Sequence, residues 1–147
     1  MNTVKDTRYW IAVASRDHVR AGVAGGFAQA NHGKRGPMAR MRRGDKIIYY
    51  SSKETFNKPQ PCQAFTAVGE VTDGEPYPAE MQDSCFTPYR RRVTYYASEE
   101  APIKPWIDSL HFITNKQNWG VKFRQGFFEI SGEDYALIAR AMTSKEA

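Results

Sequence analysis

Short apolar segments rich in aromatic and β-branched residues recur along the chain between polar or glycine-rich stretches. They are residues 9–14, 46–51, 63–71, 86–97 and 127–130. Runs of this kind are typical of β-strands, and in residues 63–71 the side chains alternate between two faces. Trp10, inside the first run, is predicted to lie in the core. We therefore predict a protein built mainly from short strands.

Helix signals stand near both ends of the chain. A helix is predicted after Ser15 and ends at the pair Gly25-Gly26, because glycine favours the backbone conformation that terminates helices. A second helix is predicted from Ser131, which together with Asp134 three residues later resembles a capping box. The two helices would flank the strands.

Glycine, proline and polar residues dominate the segments between these elements. Residues 31–41 and 53–61 are predicted to be surface loops, and residues 102–110 an extended stretch that enters a short helical turn. The 147 residues have the length of one ordinary domain, with a core predicted from about residue 8 to residue 142. Short strands with few helices predict the α+β class and a small mixed barrel, although the pattern alone does not distinguish this barrel from other compact α+β folds.

The net charge of +5 is unevenly distributed. A basic segment contains Lys34, Arg35, Arg40, Arg42, Arg43, Lys46, Lys53 and Lys58. Within it only Asp45 and Glu54 oppose these cations, and an acidic loop with Asp73, Glu75, Glu80 and Asp83 follows. Cations attract the phosphates of nucleic acids, so we predict phosphate contacts at Lys34, Arg42 and Arg43. The alternative is a basic loop that serves only solubility.

Cys62 and Cys85 are the only cysteines, and their separation has neither metal-binding nor redox spacing. We therefore predict no metal site and no cofactor. The first residues lack the apolar core of a signal peptide, and no apolar run is long enough to span a membrane. These features predict a cytoplasmic protein.

Aromatic rings stand beside amide and hydroxyl groups at several positions. The candidate ligand-binding residues are Ser15, Phe27, Gln29, Asn31, His32, Tyr50, Ser51 and Trp119. Rings can stack on the faces of a nucleobase while serine, glutamine and asparagine hydrogen-bond to its edge. The pattern therefore favours a flat ligand rich in heteroatoms.

Several of these residues also have an ordinary structural interpretation. Trp119 could close one end of the core with its indole N–H bonded to backbone, and Phe27 could be a core residue. Ser15 and Asn31 are typical of helix caps and turns. For His32 a structural role is more common than a role as general base or metal ligand.

The chain resembles the EVE domain family in a series of segments that follow one another in order. They are YWIAVASRDHV from Tyr9, GGFAQ from Gly25, NHGK from Asn31, GDKIIYYS from Gly44, FTAVG from Phe65, PIKP from Pro102, NWG from Asn118 and GFFEIS from Gly126. The resemblance runs from about Tyr9 to Met142 without a large gap. It is far more specific than any single motif.

This resemblance implies a PUA-like fold related to the YTH domains, with a pocket that accepts a modified base in RNA or DNA. In YTH domains the place comparable to Phe27 holds an aromatic residue of the base-binding cage. Phe27 and Trp119 are accordingly expected to hold a base between their rings. The implied function is a non-catalytic module whose partner is RNA or DNA.

Two other functions stay open at the level of the sequence. A small enzyme acting on nucleic acid or nucleotides could use a cysteine or Ser51 as nucleophile with His32, or the carboxylates of Asp45 and Glu54. A protein interaction module could use exposed aromatic residues as anchors. No nucleophile elbow, phosphate loop or paired-histidine zinc motif supports the enzyme.

Overall fold

The computed structural model describes residues 7–80 and 86–143. The strands in these ranges are β1 Tyr9–Val13, β2 Phe27–Ala28, β3 Lys46–Lys53, β4 Pro61–Val71, β5 Tyr77–Pro78, β6 Tyr89–Tyr95, β7 Ala101–Pro102 and β8 Phe127–Ile130. The α-helices are α1 Arg16–Gly25, α2 Arg35–Arg40 and α3 Gly132–Thr143, and 3-10 turns span Asn31–Gly33, Lys104–Ser109 and Trp119–Gln125.

These strands form a mixed sheet whose main path runs β2-β6-β4-β3-β1-β8, while β5 pairs with β6 and β7 with β4. Strands β1 and β3 pair in parallel, with Trp10 opposite Ile47. A parallel pair requires a long crossover, which here contains α1, β2 and α2. The sheet curls into a half-barrel with a few short helices, which confirms the predicted α+β class.

The central strands of the sheet are covered on both faces. Successive side chains point to opposite faces, so Trp10 and Ile11 belong to different apolar clusters. Trp10 lies with Tyr49 in the cluster that receives side chains from α1 and α2. Ile11 lies with Tyr50 in the cluster that receives side chains from α3. The predicted core position of Trp10 is confirmed, since its side chain is fully buried.

Both predicted helix signals occur at helix ends. Gly26 follows α1 with φ 72°, and its N–H donates to carbonyls of the last turn. This left-handed conformation favours glycine. Before α3, the Ser131 Oγ accepts the N–H of Asp134 at 3.1 Å, as the capping pattern predicts.

Two predicted segments differ from the structure. The loop predicted over residues 31–41 is wrong, because this segment contains a 3-10 turn and α2. Pro37 is tolerated in the first turn of α2, where backbone N–H groups have no partner inside the helix. The strand predicted over residues 86–97 begins only at Tyr89, directly after Pro88, and ends at Tyr95. Asp83 and Cys85 lie outside the described residues.

Candidate functional site

Phe27, in β2, and Gln29, which follows β2, are half-buried beside the pairing of β2 with β6. The guanidinium of Arg90 lies over the Phe27 ring, 3.8 Å from the ring centroid. Arg90 Nε also donates to Gln29 Oε1 at 2.9 Å. The structure thus brings two predicted residues together through Arg90, which was not among the predicted site residues.

A second arginine on the same strand contacts an aromatic ring of the neighbouring strand. The guanidinium of Arg92 lies 4.7 Å from the centroid of Tyr77 in β5. Because side chains alternate along a strand, Arg90 and Arg92 point to one face of β6. We call Phe27, Tyr77, Arg90 and Arg92 the arginine-aromatic edge. In the sequence, the only signal for this edge is a pair of arginines two positions apart in a predicted strand. That signal becomes informative only when the strands that pair with β6 are known.

The backbone of Gln29 is held by a buried tyrosine from β3. The Tyr49 hydroxyl donates to the Gln29 carbonyl at 2.6 Å and accepts the Gln29 N–H at 3.0 Å. Burial raises the pKa of Tyr49 to about 12. The hydroxyl therefore stays neutral at physiological pH and keeps both hydrogen bonds.

A cavity of about 410 Å³ lies between α1, β4 and the residues that follow β6. Its lining is Val19, Arg20, Val23, Ala24, Thr66, Ala67, Tyr95, Tyr96, Ala97, Ser98 and Glu100. The volume is in the range of small-molecule sites. None of the predicted site residues lines it, but two contact its wall. The Tyr95 hydroxyl donates to the Phe27 carbonyl at 2.8 Å, and Ser51 Oγ shares a hydrogen bond of 2.8 Å with Thr66.

Tyr50 and Ser51 are enclosed by protein. Tyr50 is 2% exposed and Ser51 0% exposed. The Tyr50 ring stacks on Phe123 with 3.9 Å between centroids, and burial raises the pKa of its hydroxyl. In this conformation both residues support the sheet behind the cavity wall and neither is open to a ligand.

Trp119 is the first residue of the 3-10 turn Trp119–Gln125 and is half-buried. Its side chain lies against the apolar cluster that contains Ile11 and Tyr50. The Phe27 ring, by contrast, lies against Arg90. The two rings therefore belong to different sets of contacts, and a sandwich of a base between them stays a prediction.

Ser15 and Asn31 occupy a helix start and a turn, which were their structural alternatives, and His32 lies in the same turn as Asn31. Ser15 precedes α1, and its Oγ donates to Asp17 Oδ1 at 2.5 Å. Asn31 and His32 have φ of 49° and 61°, in the left-handed region. The Asn31 Oδ1 lies so close to Gly126 that a Cβ there would be 2.0 Å from it. His32 is exposed.

The predicted phosphate contacts are exposed side chains around α2. Lys34 precedes the helix, whereas Arg42 and Arg43 follow it. Arg43 Nη1 also donates to the Thr72 carbonyl at 2.8 Å, which joins this turn to the loop after β4. Arg35 within α2 lies over the Tyr89 ring at 6.0 Å.

Arg91 is fully buried and holds the end of α2 in place. Its Nη1 donates to the carbonyls of Met38 and Met41, while its Nε donates to Asp73 Oδ1 at 2.6 Å. A buried charge is tolerated when it is paired and its donors are satisfied. Asp73, from the predicted acidic loop, is thus the ion-pair partner of Arg91.

Asp45 of the enzyme alternative is 1% exposed and serves the backbone. Its carboxylate accepts the Trp10 indole N–H at 2.9 Å and the backbone N–H groups of Arg8 and Arg42 at 3.1 and 2.9 Å. These bonds fix the turn that carries Arg42.

In the described ranges, no group of three or more histidine, cysteine or acidic residues could hold a metal ion. Helices long and apolar enough to cross a membrane are likewise absent from residues 7–80 and 86–143.

Bacterial proteins of similar length share much of this sequence. A UPF0310 protein of Mycobacterium avium is 51% identical over 134 residues, which cover 91% of this chain and 96% of that protein. A UPF0310 protein of Mesorhizobium japonicum is 51% identical over 136 residues, or 91% of each chain. The UPF0310 protein YdcG of Bacillus subtilis is 42% identical over 137 residues, or 93% of each chain.

Solved structures share the fold at lower identity. The YTH domain of Zygosaccharomyces rouxii MRB1, in complex with N6-methyladenosine RNA, has a TM-score of 0.60 at 14% identity. The alignment covers 100% of this chain and 94% of that one. A protein of Pseudomonas putida has a TM-score of 0.58 at 18% identity. The alignment covers 90% of this chain and 98% of that one. The expected similarity of the fold to YTH domains is confirmed.

A family model described as the EVE domain matches residues 8–141. This range contains the arginine-aromatic edge, the cavity and the basic segment. The match agrees with the order of motifs in the sequence. The chain belongs to the EVE domain family.

Proposed function

We propose that this protein is a nucleic-acid-binding module that recognises a modified base in RNA or DNA. The observation that carries the proposal is the arrangement of Arg90 over Phe27 and against Gln29. A guanidinium fixed between a ring and an amide is a planar cation whose orientation is set before a ligand arrives. Such groups contact the bases and phosphates of single-stranded nucleic acids.

The base would enter the cavity along α1. Its walls combine apolar side chains such as Val19 and Val23 with polar groups such as Thr66 and Ser98. That mixture suits a flat ligand whose edge is read by hydrogen bonds. The fold neighbour solved with N6-methyladenosine RNA supports a modified base as the ligand class.

The backbone of the nucleic acid would run along the basic segment. Lys34, Arg42 and Arg43 are exposed there, and the chain from Phe27 to Lys34 joins the edge to α2. Phosphate contacts of this kind position the strand and contribute sequence-independent affinity. Recognition of the base and attraction of the backbone would thus be separate functions of neighbouring elements.

The test is direct binding to single-stranded RNA and DNA of one sequence, unmodified or carrying a single modified base such as N6-methyladenosine. Arg90→Gln is expected to weaken the best ligand about 5- to 150-fold, because a stacked contact contributes about 1–3 kcal/mol. Arg124→Gln, an exposed arginine on a 3-10 turn, is the matched control and should bind like the wild type. Trp119→Ala tests the predicted aromatic pair in the same assay.

The outcomes separate the alternatives. Wild-type protein that binds none of these oligonucleotides at low salt would overturn the proposed function. Unchanged affinity in a folded Trp119→Ala variant would show that Trp119 is not part of the site. It would not contradict the proposed nucleic-acid-binding function. Products detected by mass spectrometry, and lost in His32→Ala or Cys62→Ala, would instead favour the enzyme.

A further inference from the structure

The hairpin between β3 and β4 ends in an exposed aromatic residue. Phe56 is 57% exposed, the highest value among the large apolar side chains that the structure describes as exposed. A single exposed phenylalanine is common on soluble proteins, so exposure alone indicates no function. The way in which the turn is held distinguishes this residue.

The turn is closed by its own backbone. The Lys58 N–H donates to the Thr55 carbonyl at 3.3 Å, and the Glu54 N–H donates to the Gln60 carbonyl at 3.1 Å. Asn57 has φ 70°, a conformation that asparagine tolerates at the third position of a turn. Phe56 therefore projects from a defined turn.

The same turn is attached to the start of α1. The Asp17 N–H donates to the Glu54 carbonyl at 3.1 Å, and Arg16 lies 3.9 Å from the Glu54 carboxylate. The His18 ring stacks on Phe56 with 6.2 Å between centroids and 19° between the planes. One face of the phenyl ring is thus backed by an imidazole on the helix that lines the cavity.

Exposed cations flank the ring. Lys53 and Lys58 lie on either side of it along the chain, and within the described ranges neither has an ion pair. Glu54, the acidic residue of this turn, lies beside Arg16. The patch therefore combines an exposed ring with two exposed lysines that lie close to it in sequence.

We infer that Phe56 is a stacking platform for an unpaired base next to the nucleotide held in the cavity. Single-stranded nucleic acid is bound by aromatic rings between cations, because every base has a face that stacks and every link carries a phosphate. The centre of a protein interface, in contrast, is depleted in lysine. The inference rests on the proposed function and adds a second contact for the strand.

The experiment compares two probes, free N6-methyladenosine and a single-stranded RNA of about 12 nucleotides that carries one such base. Phe56→Ala should weaken RNA binding about 5- to 150-fold and leave nucleoside binding unchanged. Phe56→Trp should retain RNA affinity within about 2-fold, since its ring also stacks. Val121→Ala, another exposed apolar side chain, is the control.

Each outcome supports or contradicts the inference that Phe56 is a stacking platform. If Phe56→Ala binds RNA like the wild type while Arg90→Gln does not, the platform is refuted and the proposed function stands. If Phe56→Ala loses the nucleoside equally, the ring shapes the cavity and is not a separate platform. If the wild type binds neither probe, both inferences fail. Circular dichroism of each variant verifies the fold.

Discussion

Lys46, Glu70 and Tyr96 form a triad of hydrogen bonds across neighbouring strands. Lys46 Nζ donates to Glu70 Oε1 at 2.9 Å and to the Tyr96 hydroxyl at 2.8 Å, and that hydroxyl donates to Glu70 at 3.0 Å. The bonds from Lys46 and Tyr96 lower the pKa of Glu70 below its usual 4.5. The folded state therefore favours the charged carboxylate, and this stabilisation is present above the unfolded pKa and lost as the pH falls through the folded pKa.

We predict that Glu70→Gln lowers the free energy of unfolding more at neutral pH than at about pH 3, which lies below the unfolded pKa, so that part of the contribution is already lost there. The effect at neutral pH should stay below about 1 kcal/mol, because the carboxylate is partly solvated. Urea denaturation at both pH values measures it, with the exposed Glu75→Gln as control. Equal losses for Glu70→Gln at both pH values would contradict the prediction.

Among elements, the packing of α2 depends on a side chain from another strand. Arg91 of β6 binds carbonyls near the end of α2 and also the loop carboxylate of Asp73. A helix of six residues has little stability of its own. The position of the arginines that follow α2 is therefore determined by a buried cation and not by helix propensity.

We predict that Arg91→Met destabilises the protein by about 3 kcal/mol, because Asp73 and two carbonyls lose their donor. Asp73→Asn should recover part of this loss in the double variant, since it removes the unpaired charge. Thermal or urea unfolding of the two single variants and the double variant measures the coupling. Additive losses would show that the pair is not coupled.

The elements themselves were largely predictable, whereas the contacts between them were not. Gly26 ends α1 and Ser131 caps α3 because these signals act within one turn of the chain. The role of Arg91 depends on a partner 53 residues away in sequence, at Met38. Likewise, Arg90 joins Phe27 only because β2 pairs with β6. Local patterns carry no information on such pairings, so the cavity and the arginine-aromatic edge could not be predicted.

Across the whole molecule, the exposed cations and the contacts proposed for base binding lie on neighbouring elements. The exposed cations around α2 lie in the chain directly after the segment with Phe27 and Gln29. If that cationic surface contacts the backbone of a nucleic acid, it should control salt dependence without affecting the choice of base.

We predict that replacing Arg42 and Arg43 by glutamine weakens all oligonucleotides about equally. The slope of log affinity against log salt should flatten by about one for each lost contact. Titrations at several salt concentrations with modified and unmodified strands measure both effects, and Arg124→Gln is again the control. An unchanged slope would mean that these arginines serve solubility.

The parallel pairing of β1 with β3 also has a consequence for how the molecule folds. Residues 14–45, which carry α1, β2 and α2, form the single connection between these two strands. Its ends meet only when a long loop closes, and closure costs entropy before the strands are joined. We therefore expect the surface built on this connection to form late, after the antiparallel hairpin of β3 and β4. A nascent chain would then form the β3–β4 hairpin before the surface that we propose for ligand binding.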